Sequence, residues 1–491
     1  SNEFIEFDNI NRIETISFDK NIIDTALNFD TTDDQYFQGG FIHANIGQNI
    51  NMITNPYGYF IPGPDNNVVI RINFLNNDLS YRTLLGNILV DTIEESISFE
   101  SFQGGYIIDN YAYITPKRII GASDKSNHMN FVRLNLTNQD NFGSCEISYI
   151  NFYDGNWKNT DNYFIANNDI SMNKPHLEGG FTDGSYGYFV PRGGNFIRVD
   201  LTNTNDFINS DFSVIYLHNS ISFGSIDLCA QTYGLHPDDD DYSTSVEKAN
   251  VRLFGGFYSQ YNKFCYLVPH GKHNSKFIRI DLSNKNDFAN SDVSFIDLSQ
   301  YFHSEDYENN ESRFRNGFIS NDGSYAYLCP DKHRHFMRID ITNSLENRNN
   351  FSNSDVSYID MNNIISTTQP NFGGGFITNT HGYLVQYISS KLVRFSFAGA
   401  FNDENNYEVL DLQDFDPSLG YYSGGITNDS IAYLAPKYTR NDSPYITNLI
   451  PRIKLDNHYE YLNILKDSSF YNNVYINDLI VDGIININLI N

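Results

Sequence analysis

Short runs in which apolar and polar residues alternate recur along the chain between Gly, Pro, Asn and Asp, and this period of two predicts strands rather than helices. The clearest set is Gly179-Gly180-Phe181-Thr182, then Tyr186-Gly187-Tyr188-Phe189-Val190-Pro191, then Phe196-Ile197-Arg198-Val199-Asp200-Leu201. The first two copies carry Gly39-Gly40-Phe41, Tyr57-Gly58-Tyr59 and Val69-Ile70-Arg71, then Gly104-Gly105-Tyr106, Tyr111-Ala112-Tyr113 and Phe131-Val132-Arg133. The fourth and fifth carry Gly255-Gly256-Phe257, Phe264-Cys265-Tyr266 and Phe277-Ile278-Arg279, then Asn316-Gly317-Phe318, Tyr325-Ala326-Tyr327 and Phe336-Met337-Arg338. The sixth keeps Gly374-Gly375-Phe376, His381-Gly382-Tyr383 and Leu392-Val393-Arg394 but loses the proline, and the seventh, Gly424-Gly425-Ile426, Ile431-Ala432-Tyr433 and Pro451-Arg452-Ile453, is the most degenerate.

A fourth run, such as Val293-Ser294-Phe295-Ile296-Asp297-Leu298, completes each copy, so each span of roughly 50 to 76 residues holds four strands, here named a to d. Such units cannot bury both faces alone, and radial packing closes them on one another. The Gly-Gly pair suits the innermost strand a, the small residue in b suits the tight contact beside it, and Pro ends b without needing a ladder hydrogen bond. Asp183-Gly184 and Asp322-Gly323 predict two-residue hairpins between a and b.

Over nearly its whole length the chain resembles the β-propeller superfamily. It lacks the Gly-His and Trp-Asp marks of WD40 repeats and the Ser-x-Asp-x-Gly-x-x-Trp boxes of sialidases. Its Asp-Gly-x-Tyr-Gly-Tyr-Phe-Val-Pro and Arg-Val-Asp-Leu wording is similar to uncharacterised repeat proteins of protists, bacteria and large DNA viruses. The Asn/Ile-rich composition is similar to that of giant-virus proteins of the mimivirus group. The resemblance implies an all-β fold, a seven-bladed β-propeller with four-stranded antiparallel blades and long loops on one face, and it carries no catalytic residue. Residues 1–459 are expected to form the propeller, the d-like piece at 13–18 completing the last blade in competition with Tyr461-Leu462-Asn463-Ile464-Leu465. Residues 460–491 are expected to pack on its rim as an extension.

Composition narrows the partners. The 60 Asp plus Glu exceed the 32 Lys plus Arg, a formal net charge of -28, and such a field repels nucleic acid and anionic membrane surfaces. Cys145, Cys229, Cys265 and Cys329 show no metal or redox spacing, and Cys265 and Cys329 fall inside apolar runs, where a thiol acts as a small hydrophobe. No signal peptide or membrane-inserting segment is expected, since the apolar tail Val474 to Ile490 is broken by Asp478 and Asp482 and falls short of about 20 apolar residues. No targeting segment is in view and the sequence leaves the location open, with a virion or cell surface as the candidate that a scaffold role suggests.

Two polar features recur. An arginine stands in strand c of all seven copies: Arg71, Arg133, Arg198, Arg279, Arg338, Arg394 and Arg452. Strand c is third from the axis, so these residues are expected to join blades, each guanidinium stacked on a Tyr of strand b and bonded to carboxylate or carbonyl groups. Histidines gather in two neighbouring b–c loops, His270 with His273 and His333 with His335, with His303 between the blades. A divalent metal held by His270, His273, His333 and His335 is the one cofactor the sequence leaves room for; surface placement beside Lys272, Lys332 and Arg334 is the alternative. The acidic run His236-Pro237-Asp238-Asp239-Asp240-Asp241 lacks calcium-loop spacing and is read as a solvated loop. No nucleophile elbow, phosphate loop or dinucleotide fingerprint appears. The expected function is a non-enzymatic scaffold that binds a protein or glycan through the face built by the b–c and d–a loops, as a virion or surface component. The alternative is a carbohydrate-active hydrolase or lyase working in the central depression.

Overall fold

In the computed structural model the recurring runs are strands, and within each copy a, b, c and d pair antiparallel in that order. The structure describes residues 13–17, 37–42, 57–63, 68–76, 78–84, 101–117, 130–151, 177–191, 195–217, 221, 253–271, 274–302, 313–342, 348–367, 369–437 and 449–455. Two units are distinguished, Ser1–Leu455 and Asp456–Asn491, and all described residues belong to the first; the expected extension at 460–491 lies outside them.

The a strands are Phe37–Ile42, Ser101–Ile108, Leu177–Thr182, Leu253–Ser259, Phe314–Ile319, Phe372–Ile377 and Tyr422–Thr427. Each packs against the a strand of the next copy, and the seventh packs against the first, so the described blades close into a ring. This is a β-propeller. The d position of the seventh blade is filled by Ile13–Ser17, which pairs antiparallel with Leu449–Lys454. One extra pairing, Glu178 opposite Lys117, joins the second and third blades.

The Gly-Gly pair has two separate causes. In every blade the a–b register shifts at this point, as between Leu177 and Gly180. Such a bulge turns the innermost strand where the blades converge. The first glycine takes positive φ in most copies, +104° at Gly179 and +77° at Gly255, and in the fifth blade Asn316 takes it at +67°, its Oδ1 accepting the N–H of Gly317. Asn is the residue that best tolerates this region after Gly. The second glycine is a matter of space. A Cβ at Gly256 would lie 3.0 Å from the Phe181 ring of the preceding blade, and one at Gly425 would lie 2.8 Å from Phe376. In five of the seven contacts the aromatic that follows the glycine pair is thus the knob and the next blade's second glycine its hole; Ile426 takes that place against Gly40, and Thr115 against Gly180.

Five of the seven strand c arginines pin one blade to the next. Arg279 lies 4.4 Å above Phe264 of its own blade and 4.5 Å from Phe351 of the next. Arg71 repeats this with Tyr57 and Phe142, Arg133 with Tyr111 and Phe207, Arg198 with Tyr186 and Phe288, and Arg338 with Tyr325 and Phe401. Phe142, Phe207 and Phe351 sit in short 3-10 turns after strand c, as Phe288 does. The hydrogen bonds differ in part from the expectation: Arg71, Arg133 and Arg279 donate Nε–H to Ser80, Ser148 and Ser294 on strand d, directly opposite in register. Arg198 reaches the Lys285 carbonyl at 2.7 Å, and Arg394 pairs with Glu408. The Asp or Asn after Arg serves the backbone instead: Asp200, Asp281 and Asp340 accept the N–H two residues on. The Asp-Gly links are also longer than two residues. Residues 183–185 and 320–324 separate the strands, and Asp183 accepts the Ser185 and Tyr186 N–H groups and the Tyr188 hydroxyl. Cys145, Cys265 and Cys329 are buried free thiols, raised in pKa by burial, as an apolar role requires; Cys229 lies outside the described residues.

Candidate functional site: the axial mouth

Strand b ends, and strand a begins, at the b–c and d–a end of the ring. The residue just past the Pro position of b is Gly63, Lys117, His270, Asp331, Tyr387 or Lys437 in the described blades, with Arg192 at the same sequence position in the third. Where the scaffold repeats, this position does not. Beside it stands the second residue of strand a, which includes Glu178, Phe254 and Arg315.

These side chains meet across the axis. Lys117 Nζ lies 3.5 Å from Glu178 Oε2 in the third blade and 5.5 Å from the Phe254 ring centroid in the fourth. Contact between the second and fourth blades is available only near the axis, where the ring is narrowest. Arg315 stacks 5.0 Å from Phe254 and 4.6 Å from Tyr387, and its Nε lies 3.8 Å from Asp331 Oδ2. Tyr387 donates its hydroxyl to Asp331 Oδ1 at 2.8 Å, and Lys437 Nζ sits 4.0 Å above the Tyr387 ring. Six blades therefore contribute to one cluster.

Backbone bonds fix the rim. Arg313 donates to the His270 carbonyl, Asp331 to Arg313, Asn371 to Asp331 and Tyr387 to Asn371, at 2.6 to 2.9 Å. Lys437 donates to the Tyr421 carbonyl at 2.8 Å. Asn371 and Tyr421, each just before strand a, take φ of +50° and +62°. For a tyrosine this region is costly, and such strain concentrates where geometry serves a function.

Burial sets the charges. Lys437 is 8 % exposed and its pKa falls to about 7, through burial first and then the neighbouring Arg315 and Lys117, against which Asp331 acts. His270 is partly buried, its ring 5.0 Å from Phe254 and its Nδ1–H donated to the Phe314 carbonyl at 2.6 Å. Burial lowers its pKa from 6.5 to about 4. Between those two values the unfolded chain binds the proton that the folded chain refuses, so stability rises with pH across this window. The urea midpoint should therefore fall as pH drops from 6.5 toward 4, and His270→Gln should flatten that part of the curve. An unchanged slope in the variant would count against a neutral, enclosed His270.

The other predicted histidines sit elsewhere. His333 and His335 are buried with rings 5.0 Å apart, His333 between Phe302 and Phe314, so surface placement is wrong for both. His333 Nδ1 accepts the His335 N–H, and His335 Nδ1 donates to the Tyr301 carbonyl. Burial first, then the neighbouring His335, Arg313 and Arg334, lowers the His333 pKa well below the ordinary histidine value. His273 and His303 lie outside the described residues, as do the acidic run at 236–241 and most of the long d–a connections. Among the described residues no group of three or more His, Cys, Asp or Glu is placed to hold a metal ion. No helix among them is long and apolar enough to cross a membrane.

No family model and no curated protein matches the chain, so the likeness to giant-virus repeat proteins finds no support there. Solved structures do resemble it at low identity. The β-propeller domain of Cps50 (Swd1) from Myceliophteria thermophila is 8% identical with a TM-score of 0.46, over 82% of this chain and 94% of that one. YCF48 bound to D1 peptide is 10% identical at 0.47, over 92% and 98%. A putative 6-phosphogluconolactonase from Bacteroides uniformis is 10% identical at 0.45, over 86% and 95%. At these scores the fold assignment rests on the strand pairing and the closed ring of a strands.

Sequence reasoning passed over Lys117, Glu178, Arg315, Asp331, Tyr387 and Lys437. The available signal was positional. Each b-strand residue follows the Pro position, or its Gln386 equivalent, and differs between copies that otherwise agree.

Proposed function

We propose that this chain is a non-enzymatic propeller scaffold that binds a protein partner across its b–c and d–a face, centred on the axial mouth. One observation carries the reading: side chains from six blades converge from two positions, just past strand b and second in strand a, where the repeats diverge. Variable polar residues on a rigid repeat scaffold are the usual arrangement of a recognition surface. The two carboxylates there, Glu178 and Asp331, are engaged by Lys117, Arg315 and the Tyr387 hydroxyl. That arrangement suits orienting cations and leaves neither carboxylate placed for proton transfer, which favours binding over the carbohydrate-active alternative.

The test compares the two ends of the ring. Immobilised chain is used to capture its partner from source-cell extract, in parallel with Arg315→Gln/Lys437→Gln at the mouth and Leu75→Ser/Ile208→Ser on the exposed c–d turns. The mouth variant should weaken the captured complex about tenfold, the effect of one or two charge-assisted contacts, while the turn variant leaves it unchanged. Loss in the turn variant alone would move the interface to the other end.

A further inference from the structure

We propose that the axial mouth is a receptor for a carboxylate group, held by Lys437 and Arg315, which both contact the Tyr387 ring. This rests on the reading of the mouth as the binding surface and names the chemistry it takes. Among the described residues neither Lys437 Nζ nor the Arg315 guanidinium has a hydrogen-bond acceptor; Arg315 meets Asp331 only at 3.8 Å, and Lys437 meets the face of a ring. Arg315 Nε is buried with no acceptor, and the Lys437 side chain, on a residue only 8 % exposed, carries three donors to the same mouth; burying charge costs free energy unless hydrogen bonds replace the lost water.

The charges facing the mouth specify the ligand. Among the described residues Lys117 is balanced by Glu178 and Arg315 by Asp331, which leaves Lys437 as the excess charge. Arg313 turns away, its guanidinium 3.8 Å over Phe302. A singly charged anion neutralises the cluster. A phosphate dianion would overshoot beside Glu178 and Asp331. The planar fork of Arg315 also suits the two coplanar oxygens of a carboxylate. A carboxylate can reach the mouth as a free small acid or on an acidic or C-terminal residue of a partner protein, and the same contacts would hold either.

The groups facing Lys437 are Arg315, Lys117, Asp331 and Tyr387, with Tyr421 beside it on the backbone. Burial first, then Arg315 and Lys117, lowers the lysine's pKa to about 7 against the pull of Asp331, so a carboxylate binds the protonated form and affinity falls as pH rises above neutrality.

The experiment is calorimetric titration of the full chain with sodium acetate, with an N-acetylated hexaglutamate peptide and with inorganic phosphate. Acetate should bind at pH 6.5 and bind at least about tenfold more weakly at pH 9, and Lys437→Met should lose about tenfold or more. Lys437→Met removes a buried charge with no hydrogen-bond acceptor, so its thermal stability should be retained. Lys285→Gln, on an exposed c–d turn, should bind acetate as the wild type does. Tighter binding of the peptide than of acetate places the carboxylate on a macromolecule, and equal binding places it on a small acid; both support the site. No acetate binding below about 100 mM, unchanged binding in Lys437→Met, or phosphate bound more tightly than acetate would overturn the proposal. If acetate fails to bind while partner capture still depends on the mouth, the carboxylate chemistry is wrong and the protein-binding reading stands.

Discussion

Gly40→Ala is expected to destabilise the chain by about 3 kcal/mol, at the upper end of what overpacking a well-filled interior costs. The added Cβ would lie 2.6 Å from the Tyr59 carbonyl oxygen and 2.7 Å from Cγ2 of Ile426. The first is backbone within the same blade's a–b pairing and cannot yield without breaking the ladder. The second belongs to the seventh blade, so the clash falls where the ring closes on itself. Gly184→Ala is the control: that glycine has φ of +90° but open space around it, and should lose about 1 kcal/mol to backbone strain alone. Urea denaturation of both variants separates crowding from strain. Equal losses would mean that the second glycine is kept for its backbone conformation and that the blade-to-blade knob is unimportant.

Arg279→Ala should cost about 3 kcal/mol, from a desolvated cation–π sandwich together with a charged hydrogen bond. Arg279 is 3 % exposed, stacked between Phe264 and Phe351 and bonded to Ser294 at 3.0 Å. Arg279→Lys should recover less than half, because an ammonium offers no plane to either ring. A double-mutant cycle with Phe351→Leu should return a coupling of about 1 kcal/mol or more, since Phe351 belongs to the next blade. A coupling near zero would confine Arg279 to its own blade. Any anion binding at the mouth should survive these changes, since all seven strand c arginines stand two strands away from the inner ring.

The scaffold was legible because every part of it repeats. Gly-Gly, the paired tyrosines and the strand c arginine are spaced by strand geometry, and seven recurrences average out the accidents of any one copy. What one copy hides is the partner contributed by the next. The Phe142, Phe207, Phe288 and Phe351 faces of the arginine sandwich stand in irregular c–d connections of variable length, where alternation gives no register. The serines opposite Arg in strand d needed pairing to be known first. The histidines show the reverse difficulty. A b–c loop was read as surface, but His333 turns into the gap between Phe302 and Phe314, and only packing decides that.

The mouth was the least legible part because its residues are distant in sequence and its position in each copy was read as punctuation. Pro ends strand b, and the next residue was treated as the start of a loop. In space that residue points across the narrowest part of the ring, where Lys117, Asp331, Tyr387 and Lys437 gain neighbours from blades far away in the chain. Among the described residues an acidic protein brings three cations together there, and nothing in composition would show it.

The most direct test of a partner surface at the mouth is backbone hydrogen exchange of the full chain with and without its captured partner. Slowed exchange is expected in peptides covering Lys117, Arg313 to Asp331, Asn371, Tyr387 and Lys437, with no change at the c–d turns around Leu75 and Ile208. Protection confined to those turns, with the mouth peptides unchanged, would contradict it.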